Sequence, residues 1–127
     1  MTDRSTIEAR LKELYAARVR GDKAAVCACF CDDAVLRFAG ASGTNPIAVS
    51  ATGAEEFGHL LAIMVKSFKL SEFATLTTVI DGVHAAVHWR ARIHSRITGT
   101  SVLTEFMDVI DVRDGHIAAY TEFFAPR

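Results

Sequence analysis

The stretch VLTEFMDVIDVRDGHIAAYTEFF, from Val102 to Phe124, decides the fold. Apolar and polar residues alternate on both sides of Arg113-Asp114-Gly115, the period-two pattern of two strands joined by a turn. A third strand, ending in Ile97-Thr98-Gly99, feeds into them. Strands this long, wrapped on helices, form a curved sheet with a concave face. Asp108 and Glu122 fall within these strands, and a carboxylate on an apolar face is costly unless something answers it. They mark a candidate pocket.

The rest of the chain supplies the helices. Ser5-Thr6-Ile7-Glu8 fits a capping box and predicts the start of a first helix. Ile7, Leu11, Leu14, Tyr15 and Val19 make its apolar stripe, and Gly21 stops it. Asp22 caps a second helix over about Lys23 to Cys31, burying Val26, Cys29 and Phe30. Ala34 to Ala39 is a short strand. Gly40 to Thr52 is rich in Gly, Ser, Thr and Asn, contains Pro46, and predicts a long loop or lid. Thr52-Gly53-Ala54-Glu55 is a second capping box. The third helix carries Phe57, Leu60, Leu61, Met64, Val65 and Phe68 on one face, as core or pocket wall. Strands follow over about Ser71 to Ile80, Val83 to Ile97, Val102 to Val112 and His116 to Phe124, with Asp81-Gly82 as a hairpin signal. Helices segregated from strands predict an α+β fold: a curved mixed or antiparallel sheet wrapped around three helices, forming a cone with an internal cavity, as one domain over residues 1–127.

Composition bounds the function. With 50% hydrophobic and 23% charged residues, the chain is globular rather than disordered. A net charge of −1 favours neither nucleic acid nor an anionic membrane as partner. The run from Leu60 to Val65 is too short to span a bilayer, and Met1 to Ser5 starts no apolar signal region. A cytoplasmic setting is the expectation. Cys27, Cys29 and Cys31 lack the spacing and distant second pair of a zinc site and read as small hydrophobes in a reducing compartment. Scattered histidines give no metal triad. No phosphate-loop glycine pattern is present. The expectation is therefore no metal and no cofactor.

Alternation sorts the strand faces. Val87, Trp89, Ala91 and Ile93 face the helices; His88, Arg90, Arg92, His94 and Arg96 face out. A tight Gly99-Thr100 turn sets Ala91 opposite Asp108 and Trp89 opposite Ile110. Phe106, Asp108, Ile110 and Val112 then point inward, and His94 lies opposite Glu105, His88 opposite Asp111. The Arg113-Asp114-Gly115 turn has two readings. A three-residue loop with Gly115 left-handed pairs Val112 with His116 and turns Ala118, Tyr120, Glu122 and Phe124 inward; a two-residue Asp-Gly turn flips that strand.

The helix pair ending in Gly21-Asp22, Phe30-Cys31-Asp32-Asp33-Ala34-Val35, the helix start at Gly53, Asp108-Val109-Ile110 and Asp114-Gly115-His116-Ile117 together resemble the nuclear-transport-factor-2-like superfamily. These cone-shaped α+β barrels include SnoaL-like polyketide cyclases, ketosteroid isomerases and limonene-epoxide hydrolases. The resemblance covers almost the whole chain and implies a cone cavity, a homodimer, and Glu122 inside, which favours the three-residue loop. Against ketosteroid isomerases, the carboxylate base after the first strand falls on Phe38, and the helix tyrosine on Leu14, beside Tyr15. The second, protonated aspartate falls on Asp108. Against epoxide hydrolases, the arginine–aspartate pair falls on Trp89 and Ala91, the two water-holding residues on Leu36 and Phe38, and the last-strand acid on Glu122. One fold hosts many activities, so the site decides.

The expected pocket has walls of Tyr15, Leu36, Phe38, Leu61, Met64, Trp89, Ala91, Phe106 and Ile110, with Asp108, Tyr120 and Glu122 as polar groups. Asp108 and Glu122 are expected as diagonal neighbours, roughly 7–8 Å apart, with Arg18 a possible partner of Glu122. Two carboxyls in a dry site separate their pKa values, the usual acid–base arrangement. The expected function is binding of a small, mostly apolar molecule, with cofactor-free proton transfer of isomerase, cyclase or hydratase type. The alternative is non-catalytic ligand binding, or a dimeric interaction module.

Overall fold

The computed structural model describes residues 3–42 and 45–126. The elements are α1 (Arg4–Arg20), α2 (Lys23–Ala28), β1 (Phe30–Ser42), β2 (Asn45–Thr52), α3 (Gly53–Ser67), β3 (Phe68–Asp81), β4 (His84–Ser95), β5 (Ser101–Arg113) and β6 (His116–Pro126). The six strands form one curved, unclosed sheet in the order β2-β1-β6-β5-β4-β3. Only β1 and β6 run parallel; every other neighbouring pair is antiparallel. This is the expected α+β class.

Local chemistry sets the helix ends, with two corrections. Asp3, not Ser5, caps α1: its carboxylate accepts from the Thr6 backbone N–H at 2.8 Å. A carboxylate at that position also complements the helix dipole. At α3 the Thr52 hydroxyl makes no cap bond; instead Glu56 Oε1 accepts from the Thr52 N–H at 3.1 Å. As expected, Gly21 closes α1 in the left-handed region at φ 71°, and Asp22 caps α2 through the Ala25 N–H. α2 is shorter than expected, so Phe30 and Cys31 belong to β1 and the three cysteines share no helix face. All three are free thiols.

The expected lid over Gly40 to Thr52 is not a loop. β1 continues to Ser42, and β2 pairs with it from Val35–Thr52 to Ser42–Asn45. β2 is an edge strand, which tolerates Pro46 because one side of its backbone has no ladder partner. The loop-like composition reflects that edge. Gly43 and Thr44 lie outside the described residues.

The β4–β5 connection is longer than the tight turn expected. Ser95 organises it: its backbone N–H donates to the Thr100 carbonyl at 2.9 Å, and its hydroxyl accepts from the Ile97 and Thr98 amides. Trp89 therefore pairs with Phe106 rather than Ile110, and Val87 rather than Ala91 faces Asp108. The slip is an even number of residues, so every side chain keeps its expected face. His94 lies opposite Ser101 and His84 opposite Asp111.

The β5–β6 turn is the two-residue form, with Asp114 and Gly115 both at positive φ and Arg113 paired with His116. Alone, that turn would point Glu122 outward. A β-bulge reverses it: Val112 pairs with Ile117, but Asp111 pairs with Ala119, leaving Ala118 as the extra residue. Ile117, Tyr120 and Glu122 all face inward as a result, while Ala118 is only half-buried. Glu122 is inside as expected, for a different reason.

The core lies between the concave face and the helices. Ile7, Leu11 and Leu14 of α1 join Val87, Trp89, Ile110 and Ile117 of the sheet in one buried cluster. Val19, expected in this stripe, is largely exposed at the rim of a groove. Among the described residues, Thr104, Asp108 and Glu122 are charged or polar side chains buried with the core.

Candidate functional site

Antiparallel pairing sets Asp108 directly opposite Glu122, closer than the diagonal relation expected. Asp108 is 0% exposed and Glu122 2% exposed. Tyr120 joins them: its hydroxyl lies 2.5 Å from Asp108 Oδ2 and 2.7 Å from Glu122 Oε2. Asp108 Oδ2 also accepts from the Tyr15 hydroxyl at 2.5 Å and from Trp89 Nε1 at 2.7 Å. Asp108 Oδ1 is buried without a hydrogen-bond partner among the described residues.

Glu122 has a cation. Arg18 Nη1 donates to Glu122 Oε2 at 2.5 Å and to the Tyr120 hydroxyl at 2.8 Å, and Nη2 donates to Oε1 at 3.3 Å. The guanidinium lies 5.0 Å from the centroid of the Trp89 ring, in cation–π contact. Trp89 stacks on Phe106 on its way to the cavity, with centroids 3.8 Å apart. α1 thus brings two residues into the site one turn apart, Tyr15 and Arg18, on the same face.

A proton count constrains the charge state. Tyr120 has one hydroxyl hydrogen, two carboxyl oxygens within reach, and an N–H arriving from Arg18. If that hydrogen goes to Glu122, the short contact with Asp108 Oδ2 needs a proton on Asp108. Two buried carboxylates against one guanidinium would also leave a net charge in a buried site. Burial pushes the Asp108 carboxyl well above its usual range, and the facing Glu122 pushes it further. The Arg18 charge and the hydrogen bonds on Oδ2 favour the charged form but do not outweigh these effects. Burial also pushes Glu122 upward, yet Arg18 and its hydrogen bonds prevail and leave it below its ordinary value. Burial first, then the carboxyl groups, hold Tyr15 and Tyr120 as neutral phenols. The site is therefore a neutral Asp108 beside an Arg18–Glu122 ion pair.

A cavity of about 400 Å³ opens above it. Phe38, Leu61, Met64, Phe106 and Phe124 are among its apolar walls, and Arg18, Glu122, Thr104, Ser95 and Thr100 give it polar atoms. Of the expected wall residues, Phe38, Leu61, Met64 and Phe106 line it. Leu36, Trp89, Ala91 and Ile110 sit behind the wall in the core, with 0% exposure. Tyr15 faces a separate groove between α1 and β3. Asp108 and Tyr120 form a layer beneath the cavity, so only Glu122 of the three expected polar groups touches its space. Arg18 is the residue that sequence reasoning placed as a partner and not as cavity lining; its i+3 spacing from Tyr15 was the available signal. Among the described residues, no cluster of histidine, cysteine and acidic groups is placed to hold a metal.

Comparison with known proteins follows this geometry. The pattern of the SnoaL-like domain matches residues 11–120. None of the curated proteins matches the chain. Among solved structures, a protein from Bacillus subtilis provisionally named an isomerase superposes with a TM-score of 0.84 at 19% identity, over 98% of this chain and 90% of that one. An NTF2-like protein from Burkholderia xenovorans LB400 gives 0.79 at 20% identity, over 98% and 93%. An LEH-like epoxide hydrolase from M. tuberculosis gives 0.73 at 19% identity, over 95% and 84%. These identities speak for a shared fold.

Proposed function

The chain belongs to the SnoaL-like domain family, and we propose that it binds a small, mostly apolar molecule in the cone cavity and moves a proton on it without a cofactor. The observation that carries this reading is Glu122 lining an otherwise largely apolar cavity, paired with Arg18 and backed by the buried Asp108. Glu122 would take a proton from the bound molecule. Arg18 orients that carboxylate and offers its remaining N–H groups to an oxygen of the ligand. Asp108 and Tyr120 act as positioning residues: they touch Glu122 and not the cavity. An isomerase- or cyclase-type reaction fits this arrangement, and the names of structural neighbours, which include an epoxide hydrolase and a ketosteroid isomerase-like protein, are compatible with it.

One observation favours a second reading, binding without turnover. Arg18 pairs closely with Glu122 and lowers its basicity, which weakens it as a proton acceptor. The experiment is native mass spectrometry of freshly purified protein to identify a co-purified small molecule. That molecule is then incubated in D2O with the protein and with Glu122→Gln. Deuterium incorporation with the native protein, lost in the variant, supports proton transfer. Binding without incorporation supports the second reading. An empty cavity that takes no apolar compound overturns both.

We further propose a homodimer through the outer face of the sheet, as the family resemblance implies. Met107, Val109 and Phe123 expose apolar surface there, each at least 40% exposed, and Met107 pairs with Phe123 across the strands. A reducing, cytoplasmic setting is proposed from the three free thiols. Among the described residues, no helix is long and apolar enough to cross a membrane.

A further inference from the structure

The hydrogen-bonded layer under the cavity has a second end. A groove of about 680 Å³ runs between α1 and β3, and Tyr15, Ala16, Val19, Phe73, Thr75 and Val87 line part of it. Val87 lies directly opposite Asp108 in the β4–β5 ladder. The cavity and the groove have no lining residue in common. They are joined by one chain of short contacts: Glu122 Oε2 to Tyr120 Oη at 2.7 Å, Tyr120 Oη to Asp108 Oδ2 at 2.5 Å, and Asp108 Oδ2 to Tyr15 Oη at 2.5 Å. Glu122 lines the cavity at one end; Tyr15 lines the groove at the other, a buried residue whose hydroxyl at rest turns inward to Asp108.

We propose that Tyr15, Asp108 and Tyr120 form a proton path from the cavity to solvent in the α1–β3 groove, so that Glu122 exchanges protons while a ligand fills the cavity. The proposal rests on the proton-transfer reading for its purpose but not for its geometry. The step balances. A proton on Glu122 passes to the Tyr120 oxygen as the Tyr120 proton passes to Asp108 Oδ2. The proton already on Oδ2, turned from Tyr120 to Tyr15, passes to the Tyr15 oxygen, and the Tyr15 proton, turned from Oδ2 toward the groove, leaves to a groove water. Glu122 ends one proton poorer and the groove water one proton richer; the three relays are unchanged. Neutral Asp108 suits this role, because a carboxyl O–H both accepts and donates at one oxygen. Trp89 Nε1, also bonded to Oδ2, anchors that oxygen between the two tyrosines and has no acceptor lone pair with which to divert the proton.

Among the described residues, other charged groups lie at the two ends of the path. Arg18 donates to Tyr120 and Glu122 and holds the cavity end. Arg4, Glu8, Lys12 and Arg20 line the groove. Arg4 pairs with Glu8, and Arg20 pairs with Asp22. Among the described residues, the charged groups bonded to the buried segment between Tyr15 and Glu122 are the path's own carboxyls and Arg18.

The test uses water as the probe on the whole, unliganded chain. Proton NMR of short hydrogen bonds gives strongly downfield signals, and saturation of water reads their exchange rate. Ala16→Trp, on the exposed face of α1, covers the groove; Met64→Trp fills the cavity. The proposal expects Ala16→Trp to slow exchange of the Asp108 and Tyr120 protons at least tenfold, and Met64→Trp to change it less than twofold. Tyr15→Phe, which removes the last oxygen of the path, should slow it as Ala16→Trp does. The reverse pattern, slowing with Met64→Trp and none with Ala16→Trp, overturns the proposal, as does no change in either. Because no ligand is involved, a failure here leaves the cavity's chemistry standing, and a cavity that turns nothing over leaves this path standing.

Discussion

Replacing Arg18 by methionine removes the cation from a buried site. The Arg18 side chain is 11% exposed and that of Glu122 2%, so the pair is buried and solvent screening gives little relief. Three N–H bonds to Tyr120 and Glu122 are lost together with the contact over Trp89. Breaking a buried pair by removing one partner costs about 3–5 kcal/mol, because the other charge is stranded. For a domain of this size that is a fall in Tm of roughly 10–25 °C. The sign of the pH dependence follows. In the native protein Glu122 lies below its ordinary value of 4.5, so its contribution to stability is present above that pH and fades as pH falls through the lower folded value. In Arg18→Met, burial is unopposed, Glu122 is raised, and the folded state binds the extra proton. The variant then loses stability as pH rises above 4.5, and its deficit against the native protein is largest at neutral pH. Urea denaturation from pH 4 to pH 8 measures both slopes. Adding Glu122→Gln should restore more than about 1 kcal/mol at pH 7. A single-variant cost under about 1 kcal/mol, the size of an exposed pair, with no change in pH slope, would refute the buried pair.

Three further outcomes follow from the same structure. Gly40→Ala places a Cβ 2.7 Å from the Phe124 ring and should cost about 1–3 kcal/mol in urea denaturation, while Gly58→Ala, with open space around it, should not destabilise. Phe123→Glu should convert a dimer to a monomer in sedimentation velocity without loss of helical or strand signal; a native protein that is monomeric at micromolar concentration would remove the outer-face contact. Asp108→Asn removes a carboxyl held above its ordinary value of 3.8, whose contribution to stability is full below that pH and is lost as pH rises through the folded value. The variant should therefore gain on the native protein as pH rises, visible as a shrinking or reversed difference in urea midpoint between pH 4 and pH 9.

Much of this was legible from patterning, and the misses have physical causes. Alternation placed Trp89, Asp108 and Glu122 on the concave face because strand faces depend only on parity, which survived a four-residue slip at the β4–β5 turn (Phe106 rather than Ile110 opposite Trp89). That turn's length depended on the Ser95 hydroxyl gathering two amides, a side-chain effect without a sequence pattern. The β5–β6 turn was an Asp-Gly type I′ signal, and its parity was restored by a bulge at Ala118 that no composition announces. The edge strand β2 read as a loop because an edge tolerates Pro46 and small polar residues. Pocket membership was the least legible feature. Whether Leu36, Trp89 or Ile110 touches the cavity or lies just behind it depends on packing depth, which periodicity does not encode.

The account turns on one shared proton: neutral Asp108 beside ionised Glu122. Carbon-13 NMR of the two side-chain carboxyl carbons, followed from pH 3 to pH 9, measures it directly. Glu122 should titrate below its ordinary value of 4.5, and Asp108 should remain protonated well above its ordinary value of 3.8. Two carboxyls titrating together near their ordinary values, or Asp108 ionised at pH 5 with Glu122 still protonated, would contradict it.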